Sequence, residues 1–366
     1  MNNLNDLPIY LTFDDLCLLP GHNQGTPEDI SLKTQVSQNF QIDLPLLSAG
    51  MPSITETDMA IAIGEFGGLG VIHRYMALDV QCSMVNQVSS YIPNPQIYPQ
   101  ASTQANGHLI AAASVAPTNI EAAQELVRAG ANILFLDTPN PGNEEIINSV
   151  ATLRQLVAAD LVIGSIVETQ TAHRYLELGI DGIKVGLGSG ALCTMRQTTG
   201  VGAPQVTALH NCGQLAHKYG IPVISDGGIK TSGDIVKALA VGASSVMLGS
   251  LLAGCDETPG QIIEQDGCCM KKVDGLRLSI LEIETPTGFP KIDAYLQKNS
   301  APRVEGGETL VSLKGPCHLT LMQLVQGIRN GIYLVGATDI IELWSKAQLI
   351  RTSFSGKIEA SLISIL

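Results

Sequence analysis

The chain has 366 residues, of which 21 are Lys or Arg and 34 are Asp or Glu, so its formal net charge is −13. Apolar residues make up 45% and charged residues 15%, which predicts a large hydrophobic core and excludes a disordered or coiled-coil chain. The acidic balance argues against nucleic acid or an anionic membrane as the main partner. A small anionic ligand remains compatible with this charge, because backbone amides alone can hold a phosphate.

The sequence shows no targeting or membrane-spanning signal. Its first residues lack the basic and apolar regions of a signal peptide, and no window approaches the ~20 apolar residues of a membrane helix. We therefore expect a soluble, cytoplasmic protein without a membrane partner. The eight cysteines show no C-x-x-C pair or regular spacing, which favours free thiols over a disulfide framework or a zinc site.

Eight short apolar runs recur along the chain, most of them followed by a helical pattern. Each run is apolar on both faces, which is typical of strands in a parallel sheet that is covered on both sides. Eight such strands predict an α/β fold of the (β/α)8 TIM-barrel type. A doubly wound open sheet is the alternative, but the first run lacks the Gly-rich turn expected there. The runs are 45–49, 69–73, 109–113, 132–137, 161–164, 182–185, 222–226 and 245–248.

Three of the intervening segments have amphipathic patterns that stop at a glycine, the usual end of a helix. The first of them begins with Thr118-Asn-Ile-Glu, the pattern of a capping box. The segments and their glycines are 118–129 with Gly130, 168–178 with Gly179, and 232–241 with Gly242.

Two stretches do not follow the repeat. Residues 77–107 have a weak pattern and are too short for an inserted domain. Residues 254–316, after the eighth run, are long and irregular, as expected for a flap over a barrel site. We expect one barrel domain over residues 1–366, with the flap inserted at about 254–316.

The loop after the sixth run carries a candidate nucleophile. Gly186, Gly188 and Gly190 alternate in it and allow a tight turn close to a ligand or ion. Cys193 follows at the end of the barrel where active sites lie, and the nearby Arg196 would favour its thiolate. From these residues alone, a catalytic cysteine and a buried cysteine beside a flexible loop are equally supported.

Gly-rich turns follow the seventh and eighth runs. Asp226-Gly227-Gly228 follows the seventh run, and Gly249-Ser250 follows the eighth. Paired turns at these places form the usual phosphate site of a barrel, and tight turns before helices are the alternative.

Two carboxylates end predicted strands. Asp226 lies beside the candidate phosphate site, where it would accept a hydrogen bond from a ribose hydroxyl. Asp137 ends the fourth run and is either a second carboxylate of the site or the cap of the following helix.

Taken together, these motifs resemble the inosine-monophosphate dehydrogenase and guanosine-monophosphate reductase family. The resemblance implies that a cysteine attacks C2 of a 6-oxopurine nucleotide. It also implies that hydride passes between C2 and NAD or NADP through a covalent thioimidate. The segments that carry the resemblance are 11–15, 67–73, 184–194, 201–205, 225–229, 232–235, 247–254, 314–316 and 335–337.

The resemblance also implies a role for individual positions. Cys193 matches the nucleophile, Glu305 a carboxylate that relays protons near the purine edge, and Asp137 the carboxylate on the cofactor side. A potassium ion would be held by backbone carbonyls of Gly186, Gly188 and Cys193, and a homotetramer is implied because the family usually forms one. The residues implied to bind a purine nucleoside monophosphate are Ser48, Met51, Asp226, Gly228, Gly249 and Ser250.

Departures from the family pattern bear on the reaction. Ala191 and Met195 stand where the cysteine loop normally carries a Ser that contacts phosphate and a Thr that takes part in proton transfer. In the flap, Val273 and Asp274 replace the Tyr and the water-activating Arg of the dehydrogenases. The tandem regulatory domain of most dehydrogenases is also missing. We therefore expect a divergent, reductase-type oxidoreductase.

Three alternatives stay open from the sequence. They are dehydrogenase activity, a nucleotide-binding protein without turnover, and a flavin-dependent barrel enzyme that uses the same phosphate turns.

Overall fold

The structure, a computed structural model, describes residues 6–265, 267–274 and 308–359. A closed barrel of eight parallel strands lies at its centre, with the strands arranged around the barrel in chain order. Three short strands precede the barrel: β1 (Leu16–Leu18), β2 (Thr34–Ser37) and β3 (Phe40–Ile42). The barrel strands are β4 (Leu46–Ser48), β5 (Leu69–Ile72), β6 (Ala112–Val115), β7 (Ile133–Asp137), β8 (Asp160–Ile166), β9 (Gly182–Val185), β10 (Val223–Asp226) and β11 (Ser245–Leu248). The (β/α)8 prediction is confirmed.

Only the third strand departs clearly from its predicted position, since β6 covers 112–115 instead of 109–113. The reason is that the residues just before it pair with the preceding loop. Leu109 N donates to Tyr91 O at 3.0 Å, and Ile110 N donates to Ser102 O at 3.0 Å.

Eight helices of the described chain lie between the first and last barrel strands, and most of them cover the outside of the barrel. They are α1 (Thr57–Glu65), α2 (Leu78–Ser90), α3 (Ile120–Arg128), α4 (Glu144–Leu156), α5 (Thr169–Glu177), α6 (Met195–Thr199), α7 (Gln205–Lys218) and α8 (Ser232–Ala240). The α2 helix corrects the expectation that 77–107 holds no element of the repeat. Its buried face includes Gln81, whose amide donates to Ser114 O at 2.8 Å, and this polar residue weakens the hydrophobic pattern.

The three predicted helix ends are confirmed, because Gly130, Gly179 and Gly242 all have positive φ angles and follow α3, α5 and α8. The start of α3 differs from the prediction by one residue. Its N-cap is Asn119 and not Thr118, since the Asn119 side chain accepts a hydrogen bond from Ala122 N at 3.1 Å.

Side chains along each barrel strand alternate between the interior and the helix layer. On β7, Ile133 and Phe135 belong to the interior cluster, whereas Leu134 and Leu136 pack under the helices. The same alternation places Asp137 on the interior side of the strand end. A carboxylate therefore lies at the end of the barrel interior where β7 ends.

The β2–β3 hairpin closes the opposite end of the barrel. Val36 and Ile42 belong to the interior cluster. The buried carboxylate of Asp160, the first residue of β8, accepts hydrogen bonds from Ser37 Oγ at 2.6 Å and Asn39 N at 3.0 Å. Side chains of the described residues therefore plug this end, which lies opposite the end that carries the predicted site.

The chain after the barrel forms a small sheet and then returns to the barrel. The predicted flap, 254–316, was expected to be irregular, but its described residues contain an antiparallel sheet in the order β12-β13-β14. Val273 is buried within this sheet. The elements are β12 (Ile262–Gln265), β13 (Cys268–Asp274), β14 (Glu308–Ser312), α9 (Cys317–Val335), α10 (Ile340–Lys346), β15 (Leu349–Arg351), which pairs with β1, and α11 (Phe354–Glu359).

Among the described residues, no helix combines the length and apolar character needed to span a bilayer. The single-domain organisation over 1–366 stays a prediction.

Candidate active site

Three charged side chains meet at the end of the barrel interior. Asp137 ends β7, Asp226 ends β10, and Lys184 lies on β9 between them. Lys184 Nζ is 3.2 Å from Asp137 Oδ1 and donates a hydrogen bond to Asp226 Oδ2. It also donates to Ser165 Oγ at 3.2 Å. One buried ammonium thus links two carboxylates from different strands.

Lys184 is cationic in this setting. Burial by itself would lower the pKa of Lys184, but the adjacent carboxylates of Asp226 and Asp137 outweigh it and raise that pKa above its usual value. The sequence prediction missed this residue. The available signal was a lysine inside the otherwise apolar run 182–185, because a lysine is almost never fully buried unless it is paired.

The structure settles which of two roles Asp137 has within the fold. The N-cap of α4 is Asn143, whose side chain accepts a hydrogen bond from Glu145 N at 2.8 Å. Asp137 therefore does not cap the following helix, and its carboxylate belongs to the polar cluster with Lys184.

Gln205, the first residue of α7, organises the strand ends around the cysteine loop. Its side chain is buried and donates to Val185 O at 2.7 Å and to Ser225 Oγ at 3.1 Å. The Ser189 hydroxyl lies 2.9 Å from Gln205 Oε1 and 3.1 Å from Asp226 O. It can donate its hydrogen to either of these oxygens. This network joins the cysteine loop to β9 and β10. The sequence analysis counted Gln205 in segment 201–205, which carries the resemblance, but gave it no role.

Two adjoining cavities open at this end of the barrel. The smaller has a volume of 280 Å³ and is lined by Met51, Gly228, Gly249 and Ser250 among others. The larger has a volume of 650 Å³ and is lined by residues that include Thr138, Ser165 and Met195. Residues that line both cavities include Tyr75, Asp137, Ser189, Cys193 and Asp226. Cys193 thus forms part of the wall of both cavities.

Most of the predicted site residues come together here. Gly186 and Gly188 line the larger cavity, in the loop that leads to Cys193. Ser48 is not among the lining residues of either cavity, since it is buried in β4 and its Oγ lies 2.9 Å from Thr55 Oγ1. Glu305 lies outside the described residues. Arg196 packs its side chain against Gly188, where an added Cβ would lie 2.4 Å from Arg196 Cγ.

The turn after β10 needs its glycines. Gly227 and Gly228 have φ angles of +92° and +79°, which side chains rarely adopt. A Cβ on Gly227 would also lie 2.6 Å from Ser189 Oγ. The backbone can therefore follow the cavity wall closely, and both glycines line the smaller cavity.

Within the described chain, no group of three or more His, Cys, Asp or Glu side chains could hold a metal ion. A site for potassium needs none of these, because carbonyl oxygens alone can replace its hydration shell. The predicted donors are backbone carbonyls in a loop where Gly186 and Gly188 have φ angles of +146° and +79°. This donor chemistry fits potassium.

These features define a (β/α)8-barrel protein in which two adjoining cavities are both lined by one cysteine. The family model for the IMP dehydrogenase / GMP reductase domain matches residues 10–362. The inosine-5'-monophosphate dehydrogenase of Cryptosporidium parvum is 35% identical, over 94% of this chain and 93% of the relative. That of Borreliella burgdorferi is 32% identical, over 94% of each. A point variant of GMP reductase from Trypanosoma brucei, solved with guanosine 5'-monophosphate, has a TM-score of 0.90 at 24% identity over the whole of both chains, a likeness in fold.

The chain therefore belongs to the IMP dehydrogenase / GMP reductase family. Members of this family are oxidoreductases that use NAD(P), so the comparison does not support the flavin alternative.

Proposed function

We propose that this protein transfers hydride between C2 of a purine nucleoside monophosphate and NAD(P), with Cys193 as the nucleophile and reduction as its direction. The observation that carries the proposal is the position of Cys193, which lines both cavities. Hydride transfer requires two ligands in contact, and a nucleophile at their junction can bond to one ligand while the other stays within reach.

The smaller cavity suits the nucleotide. Backbone N–H groups near Gly228, Gly249 and Ser250 would hold the phosphate, and Asp226 would accept hydrogen bonds from the ribose hydroxyls. This arrangement directs the purine towards Cys193. Ser48 would act indirectly, because its hydroxyl is bound to Thr55 beneath the cavity wall.

The larger cavity suits the cofactor. It adjoins the nucleotide cavity, and Asp137 at their boundary offers a carboxylate to a ribose hydroxyl. Bound NAD(P) would supply or accept the hydride at C2. NAD and NADP both remain candidates for this cavity.

In the reductive direction, the Cys193 thiolate bonds to C2 of guanosine monophosphate and the 2-amino group leaves as ammonia. The thioimidate then accepts hydride at C2, and the C2–S bond breaks to release inosine monophosphate and the thiolate. The departing amine needs protons, for which Glu305 is the predicted source.

The sequence of the flap supports reduction over hydrolysis. Val273, at the position of the Tyr in the dehydrogenase motif, is buried within the sheet of the flap. Asp274 follows at the position of the water-activating Arg and ends β13. A carboxylate there cannot provide the cationic group that the dehydrogenase reaction uses to activate water.

The test is an assay of the full-length protein with inosine, xanthosine and guanosine monophosphates, each with NAD, NADH, NADP and NADPH. We expect loss of nicotinamide absorbance with guanosine monophosphate and a reduced cofactor, together with ammonia release. Cys193→Ala should abolish turnover and retain nucleotide binding. Production of reduced cofactor from inosine monophosphate would instead establish a dehydrogenase.

Nucleotide binding without turnover is the second candidate function. Its specific support is that Ala191 and Met195 line the cavities without the hydroxyls that the family pattern places there. Tight binding of a nucleotide, with no change of any nicotinamide cofactor in the assay above, would establish it. The homotetramer also stays a prediction, which light scattering of the purified protein can test.

A further inference from the structure

Lys184 joins the two compartments of the site. Asp137 and Asp226 each line both cavities, and the Lys184 ammonium lies between their carboxylates. Two carboxylates and one ammonium carry a net charge of −1. The cavity walls therefore contain two carboxylate acceptors but only one negative charge that the ammonium does not neutralise.

Resting on the function proposed above, we propose that Lys184 is a positioning residue that holds the carboxylates of Asp137 and Asp226 in place as ribose acceptors. Asp226 would serve the nucleotide, and Asp137 would serve the cofactor. The affinity for the nucleotide and the affinity for the cofactor would then both depend on one buried ammonium. This ammonium would not contact the reacting atoms of either ligand.

Two carboxylates from different strands are bound to one nitrogen. Asp137 Oδ1 lies 3.2 Å from Lys184 Nζ, and Asp226 Oδ2 is hydrogen-bonded to it. Without the ammonium, the two carboxylates would lose their common hydrogen-bond donor, and their negative charges would repel each other. They would then turn away from the positions in which both can accept hydrogen bonds from ribose hydroxyls.

The surroundings fix Lys184 in place. The charged groups that face its ammonium are Asp137 from β7 and Asp226 from β10, and the group that faces it from β8 is the neutral Ser165. On β8, the strand that carries Ser165, a Cβ added to Gly164 would lie 2.8 Å from Lys184 Cβ and 2.9 Å from Lys184 Cε. This close packing holds the side chain where it contacts both carboxylates.

A lysine that only stabilised the fold would affect folding and leave ligand affinity unchanged. Lys184→Met separates these roles, since it retains much of the side-chain volume and removes the charge. Isothermal titration of the full-length protein with guanosine monophosphate and, separately, with NADPH measures affinity without requiring turnover. We expect both dissociation constants to rise by about 10-fold to 100-fold at pH 7, the loss expected for a hydrogen bond to a charged acceptor.

Rescue by a second cation is the more specific measurement. Lys184→Arg keeps a positively charged donor between the two carboxylates, so it should recover part of the affinity that Lys184→Met loses for both ligands. A folded Lys184→Arg that binds both ligands as weakly as Lys184→Met would contradict the positioning role.

Arg154→Met is the matched control. Arg154 forms an ion pair with the buried Asp181, near the opposite end of the barrel, and donates to Val157 O at 3.2 Å. This variant should lose stability and bind both ligands like the wild type.

The outcomes separate this proposal from the proposed function. Binding of both ligands by the wild type without turnover, with the loss in Lys184→Met, would support the positioning role and contradict the function. Wild-type affinity for both ligands in a folded Lys184→Met would overturn the positioning role whatever the activity. Failure of the wild type to bind either ligand would also overturn it.

Discussion

Gly186 packs directly against the backbone carbonyl of Asp226. A Cβ at Gly186 would lie 1.9 Å from Asp226 O and 2.9 Å from Gln205 Oε1, and the φ angle of this glycine is +146°. The contact sets the spacing between the end of β9, which leads to Cys193, and the end of β10. The cysteine loop and Asp226, the proposed ribose acceptor, are therefore held in register by the absence of a side chain at Gly186.

We expect Gly186→Ala to lower the free energy of unfolding by at least about 2 kcal/mol, because it adds backbone strain and a clash with a carbonyl. Urea denaturation followed by circular dichroism measures this change. Gly190→Ala is the control, since a Cβ there would meet only Cys193 Cβ, at 3.5 Å. Equal stability of the two variants would contradict the importance of the Gly186 contact.

Ala191→Ser should strengthen nucleotide binding. Ala191 lines the smaller cavity, and a serine hydroxyl there could donate to the phosphate. A hydrogen bond to a charged group predicts a KM for the nucleotide that is lower by about 10-fold. The measurement is steady-state kinetics at saturating cofactor. Ala191→Val adds volume without a donor, so an equal gain in that variant would refute the explanation.

Met195→Thr should increase the rate of the chemical step. Met195 lines the larger cavity next to Cys193, and threonine would restore the hydroxyl that the family pattern places there. General acid–base catalysis typically contributes about 10²- to 10⁴-fold, and we expect kcat to rise by about 10-fold with a smaller change in KM. Met195→Val is the control without a hydroxyl. A change in KM alone would argue against a role for this position in proton transfer.

Potassium should support activity if it orders the loop that leads to Cys193. Replacing potassium chloride by choline chloride at the same ionic strength is expected to lower kcat/KM, and sodium should restore less than potassium. Thermal unfolding in each salt gives an independent readout. Identical kinetics and identical melting temperatures in the three salts would exclude a functional potassium site.

Protonation of Glu168, the N-cap of α5, should lower the stability of the protein at acidic pH. Its carboxylate accepts hydrogen bonds from Gln170 N at 2.6 Å and Thr171 N at 2.8 Å. Burial raises the pKa of Glu168, but these hydrogen bonds outweigh it and lower the pKa below its usual value. Because the pKa of Glu168 is lower in the folded protein, its carboxylate contributes fully to stability above about pH 4.3, the pKa of an unfolded Glu. This contribution is lost as the pH falls through the pKa of the folded state.

Glu168→Ala should therefore cost about 1 kcal/mol of stability at pH 7, and the difference from the wild type should diminish in acid. Urea denaturation at a series of pH values measures this difference. A difference that stays constant down to pH 3 would show that the charge of the cap is unimportant.

The repeat of strands and helices could be predicted from the sequence because its signals are local. Strands buried on both faces are short apolar runs, and glycines mark the ends of α3, α5 and α8. The α2 helix escaped prediction because its buried face includes Gln81, which is satisfied by a carbonyl 33 residues away. The sheet in the flap was missed because its strands are stabilised by pairing with each other, which a local pattern does not record.

The sequence by itself determined the barrel, the position of Cys193 in the loop after β9 and the glycines of the turn after β10. The tertiary structure decided how the charged groups are paired. Lys184 lies 42 residues before Asp226 and far from Asp137 along the chain. Closure of the barrel brings these side chains onto one nitrogen, and the energy of that contact depends on distance and burial, which no local spacing contains. The same closure places Cys193 in the walls of both cavities.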